Sequence, residues 1–354
     1  MGVAQNVPDG MEASSAVACM SVMGFDPRVY YAGRGPIEAT AMGIQLEAGQ
    51  VAMRCNLVTV DDGRMVSYSA GNVSSAEATE LVASLQAALG DDRMAFHSGV
   101  GFRHILTVRE GADLLATRFF PAHDVTDRPV EEFSPEGPGA ALALDLMERS
   151  SAVLAEHPVN KARVAQGQLP ATQVWLCWPG TRVEGLPDFA AANGGRRAVM
   201  TSAVDLLRGL AMQTGVELLN IPGVTDRGDN DYEAQMAGAL SALEDHEVAF
   251  VHVEAPDEAS HEGDVEGKVE AIEQVDALMV PQIAAKDVSL LALPDHPTPL
   301  EIKTHVAEPV PFVMWGPSFA SNGAQGFTEK EARATGLTVA PGHLLLSLFL
   351  DGTP

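Results

Sequence analysis

Two aspartates and three histidines sit just past runs that read as buried strands, and that placement is the main chemical signal of this sequence. In AFVHVEAPDEASHEGD (249–264), small apolar residues lead into a loop carrying Asp257 and His261. The run 287–293 leads into Asp295 and His296, and His305 stands in THVAEP, ahead of the run 309–317. In an open α/β sheet, ligands bind outside the carboxyl ends of the strands. Asp and His donors suit a borderline or moderately hard divalent cation such as manganese or zinc. Such a set could hold two ions, and a pair of ions a few ångströms apart is a recurring device for moving phosphoryl groups. The plainer reading is a group of solvated or capping loop residues. That reading explains the acids alone. It explains less well an Asp and a His four residues apart, directly after a strand, with further Asp and His residues past neighbouring strands.

Other candidates are less specific. Ser14 and Ser15 open a helix-like stretch. A serine there is either an N-cap or a nucleophile activated by a metal and the helix dipole, and spacing allows both. Arg54 and Arg103 each lie inside a strand-like run. Arginines so placed pair with a carboxylate, or hold a substrate phosphate or carboxylate in a two-pronged grip. His123–Asp124, a loop pair, and Asp205, a helix residue, read as structural.

The elements that must position these residues follow from periodicity and punctuation. Residues 14–24 read as a helix and 24–36 as a Gly/Pro-rich connector. No strand-like run precedes Val17. Residues 51–71 read as a hairpin turning at Asp61-Asp62-Gly63, 75–89 as an amphipathic helix and 101–109 as an alternating strand. Residues 121–138 read as loop, 139–157 as helix, 171–180 as a buried strand and 202–215 as a helix stopped by glycine. The last third alternates regularly. Strands are expected at 216–223, 249–253, 287–295 and 309–317, with helices at 232–243, 265–279 and the C-terminus. Continuous apolar strands alternating with helices imply an α/β fold with a mostly parallel sheet covered on both faces. The hairpins and alternating strands before it imply a different, mixed domain.

Length and composition set outer bounds. A chain of 354 residues, 46% hydrophobic and 20% charged, is long enough for about two domains. Its formal net charge of −26 disfavours nucleic acid and anionic membrane partners. An anionic substrate would have to be met by placed arginines or by metal ions. The cysteines Cys19, Cys55 and Cys177 are far apart and odd in number, which implies reduced thiols in a cytoplasmic setting. No signal-peptide pattern opens the sequence, and no apolar run is long enough to span a bilayer.

Several long motifs then coincide. APDEASHEGDVEGKVEAIEQVD, PDHPTP, HVAEPVPFV, VPDGMEASSAVACMSVMGFDP, YYAGRGPIEA, RCNLVTV and SAVDLL together resemble the archaeal-type, cofactor-independent phosphoglycerate mutases of the alkaline phosphatase superfamily. The likeness runs from Val7 to the end. It implies an alkaline-phosphatase-like α/β core, residues 1–33 and 218–354, with a substrate-binding phosphotransferase domain inserted at 34–217. It implies interconversion of 3- and 2-phosphoglycerate through a phosphoserine, without 2,3-bisphosphoglycerate. Two divalent ions are implied, manganese first, with magnesium, zinc or cobalt as alternatives. By the resemblance Ser15 is the nucleophile. Asp257, His261 and His305 hold one metal, and Asp295 and His296 the other. Arg54, Arg103 and Arg208 face the substrate. A small phosphorylated substrate and a homo-oligomer are the expected partners.

Departures from the family pattern are equally specific. The family begins with a strand and an Asp-Gly-Met segment whose Asp ligates the second metal, and this chain begins after that point. Ala16 and Cys19 stand where the family has Asp and Asn, and Gln235 stands where it has a lysine beside the serine. These departures motivate two alternatives: a phosphotransferase on another small hydroxy compound, in the manner of a homoserine kinase, or a family member without turnover.

Overall fold

The computed structural model describes residues 1–352. Numbered along the chain, the strands are β1 (Gly2–Ala4), β2 (Val51–Asp61), β3 (Arg64–Ser67), β4 (Met94–His97), β5 (Arg103–Val108), β6 (Gln173–Thr181), β7 (Ala198–Thr201), β8 (Glu217–Leu218), β9 (Val248–Val251), β10 (Leu290–Ala292), β11 (Val310–Trp315) and β12 (Thr338–Val339). The chain divides into two compact units, Met1–Tyr31 with Glu184–Pro354, and Ala32–Val183. The expected return to the first unit at 218 therefore comes earlier, at 184. The reason is that β7 pairs in parallel with β9, Ala198 opposite Val248, which draws the preceding segment into the first unit.

The continuous unit, Ala32–Val183, is built on an antiparallel sheet in the order β3-β2-β5-β4, with β6 also pairing β2. Its hairpin turns at Asp62 and Gly63, both at positive φ, as expected of a tight turn that matches strand twist. The long strand β2 alternates. Met53, Cys55 and Leu57 face one core, shared with Leu106 and with Leu81, Leu85 and Leu146 of the helices Ser75–Leu89 and Ala140–Ala155. Ala52 faces the other way with Ile105, against Ala39 of the helix Arg34–Ala41. Ser74 and Glu77 cap the first of these helices reciprocally, which satisfies two otherwise orphaned backbone donors.

The other unit holds two sheets. One is a three-stranded parallel sheet in the order β8-β7-β9. The second runs β10-β11-β1-β12, and here the mostly parallel expectation fails. β1 and β10 both lie antiparallel to β11, and only β1 with β12 is parallel. A strand also forms before Val17, contrary to expectation. β1 is only three residues long, and Gly2 is required because a Cβ there would crowd the Leu337 carbonyl and the Phe312 ring. Ala4, Val310, Phe312, Val339 and Leu345 close the core around it.

Candidate metal centre

The first site residues follow β9 directly, but not in a loop. Residues Ala255–Glu262 form a helix with Pro256 in its first turn and Gly263 at φ +76° past its end, the usual start and stop chemistry. Asp257 and His261, four residues apart, therefore share one face of a helix. The Nε2 of His261 lies 3.1 Å from Oδ2 of Asp257 and 2.9 Å from Nε2 of His305. His305 Nε2 is 3.7 Å from the same carboxylate oxygen. The far nitrogens of both rings meet backbone carbonyls: Nδ1 of His261 at Lys303 (2.9 Å) and Nδ1 of His305 at Ala13 (3.2 Å). A ring nitrogen that donates to a carbonyl must carry the proton, so these contacts fix both rings with Nε2 facing the cluster, as outer partners of metal-binding histidines do.

The Pro294–Pro299 turn supplies the next donors. His296 is buried, with Nε2 3.1 Å from Asp295 Oδ2 and 3.0 Å from Ser15 Oγ. Thr298 bridges the two halves, its hydroxyl donating to Asp257 Oδ1 and lying 3.3 Å from His296 Nδ1. Asn6 fixes the turn by donating to the Asp295 carbonyl at 2.9 Å. Ser15 opens the helix Ser15–Val22, and the Cys19 thiol one turn on points at Asp295 Oδ2, 3.4 Å away.

One donor atom each from Asp257, His296 and His305 lies within 4.8 Å of the other two, a convergence suited to a divalent cation. This trio crosses the two sets that the resemblance implied. His261 touches it through Asp257 and His305, and Asp295 touches it through His296. All five expected donors, together with Ser15, thus fall in one contiguous cluster.

Charge in this cluster is strongly biased. Burial alone would raise the pKa of Asp257, but hydrogen bonds with His261, His305 and Thr298 outweigh it and hold the carboxylate well below its usual range. The hydrogen bond to Asp257 raises His261 to about 9, against burial. Burial would lower His296, yet Asp295 raises it, and His296 in return holds Asp295 low. Burial, reinforced by Asp295, pushes the Cys19 thiol up, so it stays protonated and acts as a donor. The carboxylates are thus ionised, held so by the histidines and the threonine beside them.

Further residues join the site that sequence reasoning passed over. His252, at the end of β9, lies 3.1 Å from Glu254 Oε2 through Nε2 and 3.0 Å from Ser202 Oγ through Nδ1. The only sequence signal for it is its place in HVEAPD. Gln235 is fully buried: its Oε1 accepts from Asn230 at 2.9 Å, and its Nε2 donates to the His252 carbonyl at 2.9 Å. A cavity of about 380 Å³ is lined by Ser202, Asp205, Arg208, Asn220 and Ile221, so Arg208 does face a hollow. Its guanidinium donates to Asn220 Oδ1 at 3.0 Å.

The remaining expected residues belong to the continuous unit. Arg54 is buried and paired with Glu38. Arg103 lies directly opposite Asn56 in the β2–β5 register, which puts it on the same face as Arg54. Its guanidinium stacks on the Phe102 ring, 4.5 Å from the centroid. His123 and Asp124, taken as structural, sit 3.5 Å apart, and the His123 ring lies 5.9 Å from that of Trp178.

Comparison with known proteins points to one family. The family model described as 2,3-bisphosphoglycerate-independent phosphoglycerate mutase matches residues 1–160. The relative so named from Methanothrix thermoacetophila is 41% identical, with 99% of this chain and 89% of the relative covered. The one from Methanosarcina barkeri is 39% identical at the same coverages. A solved structure of a protein from Pyrococcus horikoshii superposes with a TM-score of 0.80 over 99% of this chain and 86% of that one, at 23% identity, and so shares the mixed α/β fold. With identity at this level sustained along almost its whole length, the chain belongs to the family of 2,3-bisphosphoglycerate-independent phosphoglycerate mutases.

Proposed function

We propose that this chain interconverts 3-phosphoglycerate and 2-phosphoglycerate through a phosphoserine at Ser15. The observation that carries the reading is the contact of Ser15 Oγ with His296 Nε2 at 3.0 Å, inside the Asp/His cluster. The family name supports both the substrate and the independence from 2,3-bisphosphoglycerate.

Asp257, His296 and His305, with His261 and Asp295 beside them, are the residues that would hold divalent cations. Bound there, the ions would supply Lewis-acid charge stabilisation and a lowered pKa for a coordinated hydroxyl. Manganese is the first choice for this mixed oxygen and nitrogen donor set, with magnesium, zinc and cobalt as alternatives.

The chain's own groups account for the rest. Ser15 Oγ attacks the phosphorus of 3-phosphoglycerate. The new Oγ–P bond forms as Oγ gives up its proton and the bond from phosphorus to the 3-oxygen breaks, and that oxygen leaves as a hydroxyl carrying one proton in exchange. The 2-hydroxyl then attacks the phosphoserine, gives up its proton, and returns Oγ to Ser15. Ser15 opens an eight-residue helix, whose amino end favours the anionic phosphoryl group. Arg208 and the Ser202–Asn220 cavity would take an anionic part of the substrate in this unit. Arg54 and Arg103, in the continuous unit, are candidates for holding an anionic group.

Phosphorus NMR of the protein with 3-phosphoglycerate and manganese tests the proposal. A 2-phosphoglycerate signal should grow, and Ser15→Ala should slow it by about 10³-fold or more. A metal-loaded protein that leaves the spectrum unchanged refutes the reading.

A further inference from the structure

The proposed function gives Cys19 no task, although its thiol points into the Asp/His cluster. Cys19 is 6% exposed and has no disulfide partner. It stands four residues after Ser15 on the helix Ser15–Val22, so the two share one face. Helical side chains tilt toward the amino end, which leans the thiol back over the turn that holds Ser15. There Sγ reaches Asp295 Oδ2 at 3.4 Å. The same carboxylate oxygen lies 3.1 Å from His296 Nε2, and that nitrogen lies 3.0 Å from Ser15 Oγ. Two donors from the helix and two from the Pro294–Pro299 turn thus form one connected set of oxygen, nitrogen and sulfur. Ligands on a tetrahedral ion with bonds of about 2.0–2.3 Å stand roughly 3.3–3.7 Å apart. The three contacts fall within a few tenths of an ångström of that spacing.

The supports of this set tie its two elements together. Asn6, 2% exposed, donates to the carbonyls of Pro294 and Asp295 at 3.4 and 2.9 Å. Ser21 Oγ, on the same helix as Cys19, donates to the Asn6 carbonyl at 2.6 Å. Helix and turn are therefore joined through Asn6, and Thr298 Oγ1 holds the far side of the His296 ring, 3.3 Å from Nδ1. Outer partners of this kind orient metal ligands. Sulfur adds selectivity, because thiolate favours zinc and cobalt, whereas manganese and magnesium prefer oxygen. The Asp257, His261 and His305 half of the cluster offers no sulfur, so the two halves differ in softness.

We propose that Cys19 is a metal ligand, its Sγ joining Ser15 Oγ, Asp295 Oδ2 and His296 Nε2 in a set that takes zinc or cobalt in preference to manganese or magnesium. On binding, a sulfur lone pair goes to the metal and the S–H proton leaves to solvent. Thiolate and carboxylate then set two negative charges against the two positive charges of the ion, which removes the cost of burying an unmatched charge. That the cluster holds divalent ions rests on the proposed function; the part played by Cys19 is measured separately from turnover.

Titrating the full chain with cobalt(II) chloride, without phosphoglycerate, reads the sulfur directly. A thiolate on cobalt gives an intense near-ultraviolet charge-transfer absorption, whereas His, Asp and Ser donors give only weak visible bands. The wild type should develop the ultraviolet band, and Cys19→Asn should lose it while keeping visible bands. The double variant Cys55→Ala with Cys177→Ala leaves Cys19 as the remaining cysteine and should keep the ultraviolet band, which assigns it even where Cys19→Asn does not fold. No ultraviolet band in the wild type, or a band that survives in Cys19→Asn, overturns the proposal.

Calorimetric titration tests the preference. Cys19→Asn should weaken zinc binding about 100-fold or more and manganese binding far less. Equal losses for the two metals overturn the proposal. Turnover of 3-phosphoglycerate by a protein that shows no ultraviolet band leaves the mutase reading standing and removes Cys19 from the ligand set. The band in a protein without turnover keeps Cys19 as a ligand and removes the mutase reading.

Discussion

His104 couples the stability of the continuous unit to pH, and its surroundings set the magnitude. It lies on β5 and is 1% exposed. Its Nδ1 accepts the Gly99 N–H at 3.0 Å, so the neutral ring carries its proton on Nε2, which has no partner among the described residues. Burial, and then the positive charge of Arg54, lower its pKa to about 3. The unfolded chain, with an ordinary histidine value of about 6.5, therefore binds more protons between pH 6.5 and 3. A depressed folded-state pKa gives stability that is complete above pH 6.5 and drains away as the pH falls toward 3. At pH 4.5 the unfolded state has gained about two pKa units of proton affinity, which costs about 2–3 kcal/mol. Glu38, held at about 2, starts to contribute only below about 4.5, so it adds little at the pH of the comparison. Urea unfolding followed by tryptophan fluorescence, at pH 7.5 and 4.5, reads the effect in wild type and in His104→Asn, whose Oδ1 can still accept from Gly99. Wild type should lose about 2–3 kcal/mol more than the variant on acidification. Equal losses in the two proteins would refute the argument that the buried ring stays neutral.

Two other perturbations carry clear expectations. Asp257→Asn keeps the shape of the donor cluster but removes the charge that orients His261 and His305; calorimetric titration should show manganese affinity falling about 100-fold or more. Gln235→Leu strips the partners from Asn230 Nδ2 and the His252 carbonyl inside the protein, and should cost about 2–4 kcal/mol, visible as a drop of several degrees in Tm.

What could be read from the sequence followed the range of the interactions involved. Asp295 and His296 were legible because Pro294 and Pro297 punctuate a turn just past an apolar run. Asp257 and His261 were found as chemistry but placed in a loop. The local cue to their helix, Pro256 at its start and Gly263 beyond its end, was present and was outweighed by the density of acids. Glu38 was missed because its local i,i+4 partner Arg34 reads as an ordinary surface pair, and the partner that goes with its burial, Arg54, is 16 positions away and reaches it across the helix–sheet contact. The 184 boundary was missed for the same reason. β7 is four residues long, and its membership in the first unit is decided by pairing with β9, about fifty residues on. β1, at three residues, carries no periodicity to read and exists through partners over three hundred positions away.

That last pairing has a consequence for the order in which the protein can be made. β1 lies between β11 and β12, so it has no strand neighbour until residue 312 has left the ribosome, and not both until residue 339 has. Ser15, which follows β1, meets His296 only late in the same interval. By contrast, Ala32–Val183 is contiguous and has all its strand partners as soon as residue 183 emerges. At roughly 5–20 residues per second, the later segment takes on the order of ten seconds or more to appear, while β1 waits for its strand partners. During translation the continuous unit is thus complete before the unit it interrupts can close, and Ser15 reaches His296 only in the last part of synthesis.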